Sequence, residues 1–155
     1  MACSWWKPEP APARAPAVSC RQPRAARPST GNPIVSENSS RLVRFDTGPL
    51  TAAEIGKPRR PIEGETVFRT ANAFEGNDGR VLSGVWESTA GKFRSDTTGY
   101  IEFGYILEGQ ARIVDPDGTV HDLKPGDPFI MPQGYKGHWE VDHFVKKVYF
   151  ITHIA

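Results

Sequence analysis

Apolar and polar residues alternate with a period of two through most of the chain after Thr66, and clusters of Gly, Pro, Asn and Asp interrupt the alternation. Side chains on a strand point alternately to opposite faces, so the pattern predicts strands with one face against a core. The segments are Thr66–Arg69; Arg80–Glu87, entered from an Asn77-Asp78-Gly79 turn; Tyr100–Leu107; Gln110–Val114 and Val120–Leu123, paired across Asp115-Pro116-Asp117-Gly118; Phe129–Met131; Gly137–Val141; and Val145–Ile151. Strands at this spacing predict an all-β sandwich or barrel over residues 66–155, and no segment carries a helical period.

The pattern is different upstream. Residues 1–40 are rich in Ala, Pro, Arg and Ser, with no periodic apolar positions. Such a segment buries too little to offset its ordering entropy and is expected to be disordered. Its basic bias would suit a targeting peptide or a nucleic-acid arm, but an extension without function is preferred to either. Residues 41–65 read as an arm packing on the barrel. Leu42–Phe45 suits a short strand, while Pro49, Gly56, Pro58, Pro61 and Gly64 prevent a long element.

Two spaced motifs sharpen the picture. A Pro125-Gly126-Asp127 turn leads into an apolar strand that Pro132 ends and Gly134 redirects. Upstream, Glu102 is followed after six residues by Gly109. In this order the two runs resemble the two motifs of the cupins. Gly84-Val85-Trp86-Glu87, Gly91-Lys92-Phe93-Arg94, Gly137-His138-Trp139-Glu140-Val141 and Lys147-Val148-Tyr149 resemble one group of single-domain cupins in particular, the relatives of ureidoglycine aminohydrolase and the ethanolamine-utilisation cupin. The resemblance covers roughly the last half of the chain. It implies a double-stranded β-helix, or RmlC-like jelly-roll barrel, with a pocket in its lumen.

The same resemblance marks departures. The cupin histidines expected just before Glu102 are missing from Arg94–Ile101, and the ligand place after the second motif is Gly137. Of the usual metal ligands only Glu102 remains, so the expectation is no metal cofactor. The alternative is a divalent transition metal held by Glu102 and His138. A strand shifted by one residue would turn His138 inward and Trp139 outward.

Residue alternation then selects the lining. If Glu102 faces the lumen, so do Tyr100, Gly104 and Ile106, while Phe103, Tyr105 and Leu107 face outward as an apolar row. That row predicts a homodimer, unless the arm covers it. Lys147 and Tyr149 share a face of the last strand and are expected at the pocket, where an unpaired ammonium would be costly; Glu102 and Glu87 are its candidate partners. The candidate ligand-binding residues are Trp86, Tyr100, Glu102, Trp139, Lys147 and Tyr149. Glu102, Lys147 and Tyr149 are the candidate catalytic groups. Trp86 and Trp139 suit an ordinary core as well as a pocket wall.

Composition adds bounds. A chain of 155 residues fits one domain, and a net charge of +1 gives no pull toward nucleic acid or anionic lipid. No apolar run is long enough to span a bilayer, and Cys3 and Cys20 lie far from the barrel, which favours a cytoplasmic setting. The functional expectation is a cupin binding a small polar or carboxylate metabolite in its lumen. The alternative is a metal-dependent aminohydrolase-like or other cupin enzyme with non-standard ligands, so whether the chain is an enzyme stays open. A lumen filled by its own side chains is the third reading.

Overall fold

The computed structural model describes residues 41–154 and the backbone of Val35–Ser36. The expectation of disorder over residues 1–40, and both cysteines, otherwise lie outside the described residues. The described chain is all strand: β1 (Val35–Ser36), β2 (Glu54–Gly56), β3 (Pro61–Glu63), β4 (Phe68–Gly76), β5 (Val81–Arg94), β6 (Tyr100–Gly109), β7 (Ala111–Val114), β8 (Val120–Leu123), β9 (Pro128–Met131) and β10 (His138–His153). Among the described residues no helix is long and apolar enough to cross a membrane.

The long strands β5 and β10 pair with each other from His138↔Arg94 to Thr152↔Val81 and organise the rest. On one side of their length lie β4 against β5, and β6 then β9 against β10. On the other, β3 pairs with the end of β5, and β7 then β8 continue from the start of β10. The ribbon therefore belongs to both layers of a jelly-roll sandwich. The hydrogen-bonded path runs β1-β4-β5-β10-β6-β9 and does not close into a barrel; β2, β3 and the β7–β8 hairpin branch from it.

A register break between Val141 and Phe144 lets the ribbon turn from one layer into the other. Opposite it sits Gly91, at φ 143°, and a Cβ there would strike the Thr66 hydroxyl and the Glu63 carbonyl. The two strands expected at Gly137–Val141 and Val145–Ile151 are consequently one bent strand. The Asn77-Asp78-Gly79 turn forms as expected, with φ of 51°, 54° and 80° and an Arg80 N–H donated to the Asn77 carbonyl at 3.1 Å.

Two expectations shift at the start of the chain. Thr66 and Val67 precede β4 because side chains engage their backbone neighbourhood: Thr66 Oγ1 donates to the Ala90 carbonyl at 3.1 Å, and the Val67 N–H donates to Thr89 Oγ1 at 2.9 Å. Leu42–Phe45 forms no strand, and Leu42 is exposed. Further along, β2 and β3 attach residues 54–63 to β4 and β5.

The core is closed at one end of the sandwich by Phe93, Ile106, Ala111, Ile113, Leu123, Met131, Trp139, Val141 and Val145, with Phe68, Trp86, Phe129 and Tyr135 against it. On the opposite face of β10, Lys146 is buried and its Nζ donates to the carbonyls of Thr47 at 2.8 Å and Gly48 at 2.7 Å. A buried ammonium needs such acceptors, and here they tie the arm to the sheet.

Lys146→Ala is expected to free this arm. Limited trypsinolysis should cut faster at Arg41 and Arg44, while cleavage within residues 66–154 stays at the wild-type rate.

Candidate functional site

At the end of the lumen left open by the core lies a cavity of about 700 Å³. Its floor is an ion pair: Lys147 Nζ donates to Glu102 Oε1, and both residues are only 6% exposed. Strand parity places them. Glu102 belongs to the buried set Glu102, Gly104 and Ile106 of β6, and Lys147 to the buried set Val145, Lys147 and Tyr149 of β10. The ammonium also faces aromatic rings, 4.7 Å from the centroids of Trp86 and of Trp139 and 5.6 Å from that of Phe129. Those quadrupoles add to the carboxylate in holding the charge. Phe129 reaches this position because its ring lies over Gly104, where any Cβ would collide with it.

Tyr149 forms the neighbouring wall. Its hydroxyl donates to Asn72 Oδ1, and its pKa is pushed up to about 12 by burial first and then by the charges of Glu102 and Glu54. Tyr100 stands nearer the mouth, donating its hydroxyl to the Asp96 carbonyl at 3.1 Å; burial foremost and Glu102 next raise its pKa. Both phenols therefore stay protonated at neutral pH. This removes Tyr149 as a resting base and leaves it a hydrogen-bonding group.

All six candidate ligand-binding residues, Trp86, Tyr100, Glu102, Trp139, Lys147 and Tyr149, line this one cavity. Trp86 also meets Phe68 and Trp139, so it is wall and core at once. Glu87, the other candidate partner for Lys147, faces outward and pairs with Arg69 at 3.5 Å. Sequence reasoning missed Asn72 and the rim, Pro58, Arg59, Arg60, Arg94, Asp96 and Thr98, and the Phe129 ring behind Lys147. Parity along β4 could have found Asn72. The rim could not be found that way, because the segment between β2 and β3 reaches it by tertiary packing.

The places where the cupin motifs would carry histidines are occupied by structural contacts. Thr97, fully buried, donates its hydroxyl to the Pro132 carbonyl at 2.5 Å and accepts from the Tyr135 N–H at 3.0 Å. At Gly137 a Cβ would run into the Tyr135 phenol and the Val114 carbonyl. The space left by the absent imidazole is thus taken by Tyr135, whereas Trp139 stacks on Phe93 at 6.3 Å. His138 does not join Glu102, which corrects the alternative ligand set. It shares the outer face with Glu140, 3.4 Å away, and the Trp139 ring lies inward in its stead. Among the described residues no group of three His, Cys, Asp or Glu side chains is placed for a metal ion. With its carboxylate held by Lys147, Glu102 is the sole remnant of the usual donor set, and these residues do not fit a metal centre.

Comparison with known families and structures agrees with this architecture. The model of the EutQ-like cupin domain matches residues 75–149. A Pseudomonas syringae pv. tomato DC3000 protein of unknown function, of the DUF861 family, aligns at 25% identity and TM-score 0.57, covering 64% of this chain and 43% of its own. The putative ethanolamine utilization protein Q of Salmonella typhimurium LT2 aligns at 19% identity and TM-score 0.50, covering 57% of this chain and 71% of its own. The EutQ protein of Clostridium difficile aligns at 23% identity and TM-score 0.50, covering 57% and 64% respectively. This chain thus spans less than half of the first of these proteins. No curated protein matches.

Three outcomes are expected. Glu102→Ala or Lys147→Ala alone should cost about 3–5 kcal/mol in urea denaturation, because each strands a buried charge, while the apolar pair Glu102→Leu with Lys147→Met should recover most of that loss. Gly137→Ala should destabilise by about 1–3 kcal/mol through overpacking against Tyr135. The third follows from Tyr149. An unfolded phenol ionises near 10 and the folded one at about 12. The unfolded chain releases that proton first, so Tyr149's contribution is complete below about pH 10 and declines as the pH climbs toward 12. The urea midpoint should fall across that window, and fall less in Tyr149→Phe.

Proposed function

We propose that this chain, a cupin of the EutQ-like kind, binds a small polar metabolite in its lumen at Lys147 and Glu102. The observation that carries the reading is the buried ion pair at the foot of a cavity walled by aromatic rings. Such a pair presents adjacent donor and acceptor directions to a ligand. A carbonyl oxygen can take a hydrogen bond from the ammonium while a neighbouring N–H or O–H gives one to the carboxylate. Trp86 and Trp139 supply apolar walls, and Tyr149 with Asn72 adds a second polar point.

In this reading Lys147 positions and polarises, and Glu102 is the group able to accept a proton from a bound ligand. A metal is no part of it, since the donor set does not fit one. We also propose a homodimer. Phe103, Tyr105, Ile130 and Phe150 are 40%, 40%, 64% and 43% exposed and adjoin across β9, β6 and β10. The arm tied down by Lys146 leaves this part of the face open.

Thermal-shift screening of small amides, hydroxy acids and amino acids should identify compounds that raise the melting temperature in proportion to ln[ligand]. Those compounds should lose their effect in the Glu102→Leu/Lys147→Met protein, in which no buried charge is left unmatched and the fold is kept. An undiminished shift in that variant would place binding elsewhere and defeat the reading. For the dimer, light scattering of the full chain should give twice the chain mass, and Phe103→Asp with Ile130→Asp should give a monomer.

A further inference from the structure

A second cavity, of about 670 Å³, lies between β8 and β9. Asp122 and Leu123 line it from β8, and Phe129, Ile130 and Met131 from β9. Successive residues of a strand point to opposite faces. A cavity that takes consecutive residues from both strands is therefore the seam between two edges, not a pocket on one face. Each edge is free among the described residues, since β8 pairs with β7 alone and β9 with β6 alone. The alternation of bonded and non-bonded pairs fixes which backbone groups look into the seam. The Asp115 N–H donates to the Thr119 carbonyl at 2.9 Å, so His121 and Leu123 are bonded to β7, and Val120 and Asp122 turn their backbone groups toward the seam. The Ile106 N–H donates to the Asp127 carbonyl at 3.1 Å, so Phe129 and Met131 are bonded to β6, and Ile130 turns its backbone groups toward the seam.

The seam is also acidic. Asp115, Asp122 and Asp127 line it, and no lysine or arginine does. Asp115 is engaged by the Tyr135 hydroxyl and by His121, each at 2.8 Å, and Asp127 accepts the Lys124 N–H at 2.9 Å. Asp122 stands opposite Arg112 in register, but that guanidinium is forked onto Asp142 at 2.7 and 2.8 Å and reaches Glu140 at 3.1 Å. The exposed Asp122 carboxylate is left without a counter-charge among the described residues.

The complementary charge is in this same chain. Residues 10–36 contain Arg14, Arg21, Arg24 and Arg27 and no Asp or Glu. Arg21, Arg24 and Arg27 recur at every third residue, with Pro23 and Pro28 beside them. Polyproline II has three residues per turn, so in that extended form three such guanidinium groups share one edge, about 9 Å apart. It makes no internal hydrogen bonds, which leaves its carbonyls for the amides of a free sheet edge. Reach is sufficient. β1 and β9 end the sheet path five strand spacings apart, about 24 Å, and residues 25–34 span about 33 Å when extended. We propose that residues 21–28 of this chain dock along the seam between β8 and β9, with their arginines against Asp122 and its acidic neighbours. Met131 lines both this seam and the lumen cavity, so the docked segment abuts a wall that the two share.

The test uses the full chain with Cys3→Ser and a nitroxide on Cys20, the residue next to Arg21. In amide NMR spectra the signals of Val120, Asp122 and Ile130 should broaden more than those of any other strand. The broadening should be lost in R21E/R24E/R27E and in D122K, whose spectra also report that the fold is kept. It should fade with added salt, as attraction between exposed charges does. Seam amides that stay sharp in the labelled chain would overturn the proposal. So would broadening that survives both charge reversals, since the seam would then be holding something other than the arginines. A mixture of isotope-labelled chain without nitroxide and unlabelled chain carrying it separates one molecule from two. Sharp seam signals there support docking within one chain, and broadened ones would assign the segment to a neighbouring molecule and overturn it.

Discussion

A buried ammonium must be matched by a carboxylate or by carbonyl oxygens, and β10 carries two in succession. Lys146 and Lys147 point to opposite faces of the same strand, 3% and 6% exposed. The first takes backbone carbonyls from the arm, and the second takes the Glu102 carboxylate inside the lumen. Each pairing joins elements far apart in sequence. A one-residue slip of β10 would exchange the two faces, sending each lysine to the other's surroundings. The register of the central strand is therefore held by charge as well as by its apolar residues.

The lumen follows from that register. With Lys147 inward, Val145 and Tyr149 are inward too, and Glu102, Gly104 and Ile106 face them from β6. Rings gather around the ammonium from three strands, because Trp86, Phe129 and Trp139 each lie on the inner face of theirs. The cation sits beside Glu102 and is enclosed by those rings. What remains is a polar pair in an apolar setting, which suits recognition by hydrogen bonding better than metal chemistry.

Local sequence and tertiary setting agree over most of the sandwich and part company where segments are shared. Thr97 and Gly137 show how. Both are ordinary small residues in the sequence, yet one clips the Pro132–Tyr135 loop in place and the other admits the Tyr135 ring. These uses explain why neither place could take a histidine without repacking the loop. His138 was ambiguous for a related reason, since the residues beside it allow either parity. The inward packing of Trp139 among Phe93 and Val141 resolves it.

The sequence by itself determined the strand cadence, the Asn77-Asp78-Gly79 turn, the alternation that sends Glu102, Lys147 and Tyr149 to one side and the apolar face around Phe103 to the other. These depend on a two-residue period and on turn chemistry, which are local. The packed structure alone makes β10 one bent strand, brings Glu102 rather than Glu87 to Lys147, and sets Arg59 at the rim of the cavity. Those outcomes depend on which strands adjoin and where a segment crosses the cavity. Contacts between residues 45 positions apart, as for Lys147 and Glu102, leave no periodic trace in the chain.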